Sequence, residues 1–246
     1  MKNILKQSLV FNKKLTVLKK KNIKEEFSWY PYGTMSNIHI LENLLSNEFE
    51  NLIERNSDLP IADIGCADGD LGFYIEHLGY SCEVIDHSAT NWNGMKGVRY
   101  LKELLNSKVM IHDINLDDMK CLPEKKYGLI IFLGILYHLK NPFGVLENLS
   151  RSSKEIVIST RIAKYTKEDS GNCISDKSFV YLLDAEECNN DSTNYWIFTE
   201  ASLKKILRRT GWELISYQSF GDTKNSNPSD SHHDERIFLH AKSKFC

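Results

Sequence analysis

The chain has 246 residues, of which 41% are hydrophobic and 26% are charged, enough to bury one substantial core. Its formal charge of -2 conceals an asymmetry, because residues 1–21 contain seven lysines and no acid, which leaves 24 basic and 33 acidic residues, or -9, for the rest. A body that acidic is a poor electrostatic match for a nucleic-acid backbone, so a nucleic-acid partner is not expected.

The chain also lacks the usual signals for export or membrane insertion. The N-terminus has no unbroken apolar run of the secretory type, and no stretch approaches the ~20 apolar residues of a membrane helix. Six cysteines are scattered without a C-x-x-C pair. These features predict a cytoplasmic protein with free thiols and no membrane partner.

The first 26 residues are lysine-rich, with leucines at loosely helical spacing. This pattern favours a solvated helix or an arm packed on the body over an RNA or membrane contact. An aromatic segment follows at residues 27–32 and precedes an apolar-periodic helix from Ile38 to Leu45, with Ser36 or Asn37 as its N-cap. The aromatic side chains either attach the arm to the core or close over a bound ligand.

The stretch Leu59–Gly72 reads as a strand, a glycine loop and a helix. Gly65 and Gly69 allow a tight turn that brings backbone N–H groups against a ligand, next to the positive N-terminus of the following helix. A nucleotide-like ligand is therefore expected at this loop.

Four further strands are predicted at 81–86, 108–112, 127–134 and 155–160. A helix is predicted over 98–106, between the first two of these strands. The acid Asp86 ends the second strand, 23 positions after Asp63, near the spacing at which an acid meets a ribose hydroxyl in Rossmann-type units. Asp113 stands at the end of the third strand.

A long polar insert is predicted at residues 161–198, and a connection of this length is more often functional than a spacer. Thr199 then caps a helix that Gly211 closes, and two strands at 213–220 and 236–241 end the fold. The element order predicts an α/β, doubly wound, Rossmann-like fold with a seven-stranded, mostly parallel sheet and an antiparallel last strand.

The spacing within the glycine loop separates two kinds of nucleotide. A dinucleotide site usually has G-x-G-x-x-G, whereas this chain has Gly65-x-x-x-Gly69 preceded by Asp63. A carboxylate at that position would repel a pyrophosphate but suits the cationic amino-acid end of S-adenosylmethionine. The loop therefore favours the methyl donor as cofactor.

From Leu59 to Ala241 the chain resembles the class I S-adenosylmethionine-dependent methyltransferases, through DIGCADGD (63–70), VIDH (84–87), HDINLDD (112–118) and FLGILYHLKNP (132–142). The resemblance divides the chain into an N-terminal extension, 1–50, and a methyltransferase domain, 51–246, which holds the insert. It implies cofactor binding by Asp63, Gly65, Cys66, Ala67, Gly69, Asp86, His87, Asp113, Ile114, Leu133 and Gly134. Ala67 replaces the family's usual middle glycine, so a slightly repositioned loop is expected.

The acceptor is less clearly indicated than the cofactor. GILYHLKNP is also similar to its counterpart in bacterial enzymes that modify the wobble uridine of transfer RNA, and in a set of bacterial methyltransferases of poorly defined substrate. The aromatic segment and part of the insert resemble that second set.

Methyl transfer to a hydroxyl requires alignment of the acceptor and one base. In an open α/β sheet the ligand lies beyond the carboxyl ends of the strands, where His138 and His232 are expected. These two histidines are therefore the candidate bases. For His138, a histidine packed against the neighbouring helix is an equally good interpretation. For the loop around His232, a solvated turn is a better interpretation than a catalytic role. Substrate contacts are predicted for Tyr30, Tyr137, Arg161, Asn190, Tyr195 and Arg236. Asp184, Asp191 and Asp222 have no metal-ligand spacing, so no metal is predicted.

The sequence thus predicts an enzyme that O-methylates a small polar acceptor: a sugar, nucleotide-linked or phosphorylated precursor of a surface glycan or specialised metabolite. Two alternatives stay open. One is a methyltransferase that modifies the wobble uridine of transfer RNA, and the other is a non-catalytic module that binds S-adenosylmethionine.

Overall fold

The computed structural model describes residues 4–118, 122–124, 126–166, 172–228 and 230–246. By its internal contacts the chain divides into two compact units. The first contains residues 1–115 and 123–131, and the second contains residues 116–122 and 132–246. The division predicted at residue 50 stays a prediction.

The first unit contains most of the parallel strands. Its elements are α1 (Ile4–Lys21), α2 (Asn37–Leu44), α3 (Phe49–Arg55), β1 (Ile61–Ile64), α4 (Asp70–His77), β2 (Cys82–Asp86), α5 (Lys96–Leu105), β3 (Met110–Asp113) and all but the last two residues of β4 (Tyr127–Leu133). Strand β2 pairs in parallel with both β1 and β3, and β4 lies beside β1. The register sets Asp86 opposite Asp113, so two strand-end acids lie at the same edge of the sheet.

Helix α1 packs on the rest of the first unit through one apolar face. Ile4, Phe11 and Leu15 are buried. The Phe11 ring lies 5.5 Å from the Tyr74 ring, and the Tyr74 hydroxyl donates to the Ile4 carbonyl at 2.8 Å. The lysine-rich N-terminus is therefore a packed helix with a charged outer face.

The second unit ends in antiparallel strands. Its elements are a short 3-10 helix (Leu136–His138), α6 (Pro142–Ser152), β5 (Ser153–Ile162), β6 (Val180–Leu182), β7 (Trp196–Phe198), α7 (Glu200–Arg209), β8 (Trp212–Gly221), a 3-10 helix (Ser231–His233) and β9 (Glu235–Ser243). Strand β9 pairs antiparallel with both β5 and β8. Thr199 caps α7 as predicted, in a capping box with Ser202, which satisfies N–H groups at the helix start.

The described residues form nine strands, so the predicted number of seven is wrong. The two additional strands, β6 and β7, lie inside the predicted insert, and β7 joins the end of β5 in parallel at Ile162 and Phe198. Each has three residues, too few to show a period-2 pattern in the sequence. Strand β5 also extends to Ile162, into the predicted insert. Residues 167–171 of the insert lie outside the described residues.

Across the described residues, no helix combines the length and the apolar character needed to span a membrane.

Gly128 provides a test of the packing of β4. A Cβ atom at Gly128 would lie 1.8 Å from the Asn56 carbonyl oxygen, so the two backbones approach closely. We expect Gly128→Ala to lower the free energy of unfolding by about 2–3 kcal/mol, since the backbone has to move apart. Urea unfolding followed by circular dichroism measures this.

The matched control is Gly33→Ala, because no atom lies within 4 Å of a Cβ there. We expect its stability to stay within about 1 kcal/mol of the unaltered protein. Equal stability of the two variants would contradict the close approach of β4 to residue 56.

Candidate functional site

The glycine loop of the first unit, residues 65–69, is here called the donor loop. Gly65, Ala67 and Gly69 all have positive φ, at 76°, 54° and 83°. The N–H of Gly65 donates to the Ile85 carbonyl at 2.8 Å, which attaches the loop to the end of β2. Ala67 keeps the left-handed backbone that glycine adopts freely, at a cost of about 1 kcal/mol. The substitution is therefore tolerated without loss of the turn.

Asp86 fastens the donor loop from the end of β2. Its Oδ2 accepts the Ala67 N–H at 2.9 Å and the Asn91 side-chain amide at 3.0 Å, and its Oδ1 accepts the His87 N–H at 2.8 Å. Burial raises the pKa of this carboxyl, although these hydrogen bonds oppose the rise. Three of its roughly four acceptor positions are used, so Asp86 retains capacity for a ligand hydroxyl.

Asp63 on β1 is a buried acid beside the donor loop. It is only 5% exposed, and its Oδ2 accepts the Gly72 N–H at 3.0 Å. Burial raises its pKa to about 7, against the Gly72 hydrogen bond and with the help of the Asp86 and Asp70 charges. A bound cation favours the ionised form, so Asp63 suits a positively charged ligand.

The other predicted donor residues surround the same strand ends. Asp113 is exposed, and its Oδ1 accepts the Ser88 N–H at 2.9 Å, which lowers its pKa. The N–H of Ile114 donates to the Asp86 carbonyl at 2.8 Å. Cys66 is buried, and burial raises the pKa of its thiol well above the usual value. The structure thus brings the predicted donor residues of the first unit together.

Sequence reasoning missed Asn91. Its side-chain amide donates to both Asp86 Oδ2 and the Ala67 carbonyl, and its Oδ1 accepts the N–H groups of Asn93 and Met95. Asn91 therefore connects the donor loop to the turn before α5. The sequence marks this stretch as a turn, but no spacing assigns it to the site.

His138 is the best-ordered candidate base in the second unit. Its Nδ1 lies 3.1 Å from the Thr193 carbonyl oxygen and 3.0 Å from Thr193 Oγ1. Burial lowers the pKa of the imidazole, although the Thr193 hydrogen bond and the Asp191 charge oppose this. The lowered pKa favours the neutral form of the imidazole.

Asp191 and Thr193 determine which nitrogen of His138 carries the proton. The Thr193 hydroxyl donates to Asp191 Oδ1 at 2.6 Å, and the Thr193 N–H donates to the same oxygen at 2.9 Å. The hydroxyl oxygen and the carbonyl then both present lone pairs to Nδ1. This pattern assigns the proton to Nδ1 and leaves a lone pair on Nε2, the arrangement that a general base requires.

Three predicted substrate residues lie around His138. The Tyr137 ring centroid is 4.2 Å from the imidazole, and the Tyr195 N–H donates to the Tyr137 carbonyl at 2.8 Å. Arg236 Nη1 lies 3.4 Å from the Tyr137 hydroxyl, with the guanidinium 5.6 Å from the ring centroid. We call these residues, with Thr193, the His138 cluster: Tyr137, His138, Thr193, Tyr195 and Arg236.

The predicted donor residues of the second unit lie at the end of β4. Leu133 is half-buried and ends the strand. Gly134 has a φ of 77°, and its N–H donates to the Ser159 carbonyl at 2.9 Å. A Cβ atom at Gly134 would lie 3.9 Å from both Arg236 Nη1 and the Tyr137 hydroxyl. The turn at Gly134 therefore lies next to the His138 cluster.

Other predicted residues have different surroundings. Arg161 is buried, and its guanidinium contacts Asp234 Oδ1 at 2.8 Å, the Asp230 carbonyl at 3.0 Å and Cys188 Sγ at 2.6 Å. Its predicted substrate contact stays a prediction. Its described contacts attach the segment before β9 to β5.

Asn190 and His232 are exposed, and Asn190 has a positive φ of 51°. The N–H of His232 donates to Asp230 Oδ1 at 2.8 Å. Neither residue has a described contact with the His138 cluster. In the described part of the chain, no three His, Cys, Asp or Glu side chains are grouped as metal ligands.

The comparisons with known proteins identify the family. The profile of the family described as "Methyltransferase domain" matches residues 38–217, so the chain belongs to that family. A tRNA U34 carboxymethyltransferase of Aliarcobacter butzleri (strain RM4018) is 25% identical over 165 residues, which cover 64% of this chain and 48% of the relative. The chain thus spans about half the length of that curated relative.

Solved structures agree on the fold. The N-terminal domain of EvdMO1 with SAH bound has a TM-score of 0.59 at 12% identity, covering 94% of this chain and 97% of that one. The same domain in the presence of SAH and D-fucose has a TM-score of 0.55 at 14% identity, covering 80% and 84%. Together with the family match, these results confirm the predicted class I fold and S-adenosylmethionine as the methyl donor.

The predicted donor residues of the first unit have the chemistry that this cofactor requires. Asp63 presents a carboxylate that a cation would hold ionised, and Asp86 has an open acceptor position for a hydroxyl. The donor loop supplies the tight backbone turn that a ligand can approach closely.

The raised pKa of Asp63 gives a pH prediction for donor binding. Because the ionised carboxylate attracts the cationic donor, we expect the affinity for S-adenosylmethionine to weaken as pH falls from 8 to 6, through the pKa of about 7. We expect Asp63→Asn to bind the donor about tenfold more weakly at pH 8 and to lose this pH dependence. Calorimetry across pH measures both effects.

Asp63→Asn should also alter stability. The pKa of Asp63 is higher in the folded protein than its usual value of 3.8. Below pH 3.8 this carboxyl is protonated in both states and costs no folding free energy, and its ionisation then destabilises the folded protein as pH rises through about 7. Removal of the charge should therefore stabilise the protein by more than about 1 kcal/mol at pH 8, and by less at pH 5. The control is Asp184→Asn at an exposed position. A variant with unchanged affinity and stability at pH 8 would contradict the buried charge.

Proposed function

We propose that this methyltransferase O-methylates a small polar acceptor, namely a sugar, nucleotide-linked or phosphorylated precursor of a surface glycan or specialised metabolite. The observation that carries the proposal is the ordering of the His138 imidazole by Thr193 and Asp191, which leaves its Nε2 without a partner in this network. A hydroxyl acceptor requires such a base, because the oxygen must lose its proton during transfer.

The reaction then follows from the chemistry of the ordered imidazole. When bound, S-adenosylmethionine supplies a methyl group on a positively charged sulfur, which keeps the bonding electron pair as the methyl carbon is transferred. His138 Nε2 accepts the hydroxyl proton as the new O–C bond forms. The resulting imidazolium keeps its Nδ1–H bond to Thr193, and the Asp191 charge, which raises the pKa of His138, stabilises it.

The surroundings of His138 support a sugar-type or phosphorylated acceptor. Tyr137 and Tyr195 provide aromatic and hydroxyl groups of the kind that contact sugars. Arg236 retains its charge and has a side chain that is 38% exposed, so it can pair with a phosphate or carboxylate of the acceptor. The EvdMO1 domain, which shares the fold, was crystallised in the presence of D-fucose.

His138 is a better base than His232. A general base needs a fixed orientation and a defined tautomer, and Thr193 provides both for His138. His232 is exposed, and its described hydrogen bond is made by its backbone.

A second candidate function is modification of transfer RNA, which the 25% identity to a tRNA U34 carboxymethyltransferase favours. Several lysines of α1 are exposed, among them Lys13, Lys20 and Lys21. The -9 charge of the remaining chain opposes RNA binding, so we rank this candidate below the small-molecule acceptor.

One assay separates the two acceptor classes. Transfer of labelled methyl groups is measured to a panel of free, phosphorylated and nucleotide-linked sugars, and in parallel to total transfer RNA at low and moderate salt. We expect label in a small-molecule fraction and none in RNA. RNA labelling that falls steeply with salt, and that is lost when Lys13, Lys20 and Lys21 become glutamine, would reject the small-molecule acceptor.

The role of His138 is tested by kinetics with the acceptor found. We expect His138→Gln to lower kcat by at least about 100-fold without a change in donor affinity. We expect Asp191→Asn to shift the acid limb of the kcat profile toward lower pH by about half a unit, because it removes a charge that raises the His138 pKa.

The control is His39→Gln, an exposed histidine of the first unit, which should turn over normally. Loss of activity in His232→Gln with normal activity in His138→Gln would reverse the assignment of the base.

A further inference from the structure

We propose that the N-terminal segment, residues 4–32, is a component of the methyl-donor site, and that Lys19 of α1 positions the donor loop. This segment lies outside residues 38–217, which the methyltransferase family profile matches. All the residues involved belong to the first unit. The inference concerns donor binding, so it does not depend on the acceptor.

Lys19 bridges two acids at the donor loop. Its Nζ lies 2.9 Å from Asp68 Oδ2 and 2.8 Å from Asp70 Oδ1. Asp68 belongs to the donor loop, and Asp70 is the first residue of α4. The three side chains are 16%, 2% and 11% exposed, so this ion pair is largely removed from water. Removal of one partner from such a pair leaves uncompensated buried charge.

Besides its ion pair with Lys19, Asp68 accepts hydrogen bonds from the segment after α1 and from the turn before α5. Its Oδ2 also accepts the Tyr30 N–H at 2.9 Å, and its Oδ1 accepts the Asn93 side-chain amide at 2.8 Å. The Asn93 amide in turn donates to the Ser28 carbonyl at 3.1 Å. The segment after α1 is therefore hydrogen-bonded both to the donor loop and to the turn that contains Asn91.

Helix α1 can hold Lys19 in place because it is anchored at both ends. Near its start, the Tyr74 hydroxyl donates to the Ile4 carbonyl, and Phe11 stacks on the His77 ring at 4.8 Å. Near its end, the Trp29 indole N–H donates to the Lys19 carbonyl at 3.1 Å, and the Trp29 ring stacks on Tyr100 of α5. The ammonium group thus approaches the two acids from a fixed position.

The ion pair acts on the part of the loop that carries the donor residues. Ala67, whose N–H binds Asp86, directly precedes Asp68. Asp68 and Asp70 repel each other when ionised, and burial raises the pKa of Asp70, an effect that Lys19 opposes. Without the ammonium group, relief of this repulsion would displace the loop backbone and the Ala67 N–H with it. Lys19 is therefore a positioning residue for donor binding.

The test measures affinities for S-adenosylmethionine and S-adenosylhomocysteine by calorimetry. We expect Lys19→Met to weaken both by about tenfold, the loss of one charge-assisted contact, and Lys19→Arg to restore most of the affinity because it keeps the charge. Lys20→Met is the matched control, since Lys20 is exposed on the same helix turn. Lys19→Met with lower thermal stability but unchanged affinity would overturn the proposal and leave Lys19 a purely structural residue.

A second measurement uses the unaltered protein, in case Lys19→Met does not fold. Hydrogen–deuterium exchange is followed with and without S-adenosylhomocysteine. We expect the ligand to slow exchange in residues 65–70 and also in residues 19–32, because the Tyr30 N–H is bonded to Asp68. Slower exchange in the donor loop with unchanged exchange in residues 19–32 would contradict the coupling.

Discussion

The contact between Asp86 and the Ala67 N–H is the interaction on which the donor loop depends. Strand β2 lies parallel to β1, so its carboxyl end reaches the loop that follows β1. A carboxylate there can bind the loop backbone and still keep an acceptor position for a ligand. The same strand end binds the Ile114 N–H, so the turns after β1 and β3 are both attached to β2.

This arrangement concentrates negative charge in a poorly solvated region. Asp63, Asp68, Asp70 and Asp86 lie on or beside the donor loop, and burial raises the pKa of three of them. Backbone N–H groups and the Lys19 ammonium group offset part of the cost. A cationic ligand beside Asp63 would offset more of it. Buried carboxylates of this kind lower stability, as is usual where function requires a buried charge.

In the second unit, hydrogen bonds orient a single imidazole, that of His138. Asp191 fixes the Thr193 hydroxyl, and Thr193 fixes Nδ1 of His138. These three residues are spread over more than fifty positions of the chain, and the segment that contains Thr193 precedes the short strand β7. The predicted insert therefore has a definite structural role, since it orders the best candidate base.

The sequence alone determined the parallel core, the donor loop and the strand-end acids, because each depends on local spacing: the glycines, the apolar runs and the acid that ends each strand. It also indicated S-adenosylmethionine as the methyl donor, through the positions of Asp63 and Asp86. Only the tertiary structure shows strands β6 and β7, the hydrogen-bond partners of His138, and the ion pair of Lys19 with Asp68 and Asp70. The ion pair joins residues about fifty positions apart, and contacts between distant residues leave no periodic pattern in a sequence. Only folding brings them within hydrogen-bonding distance.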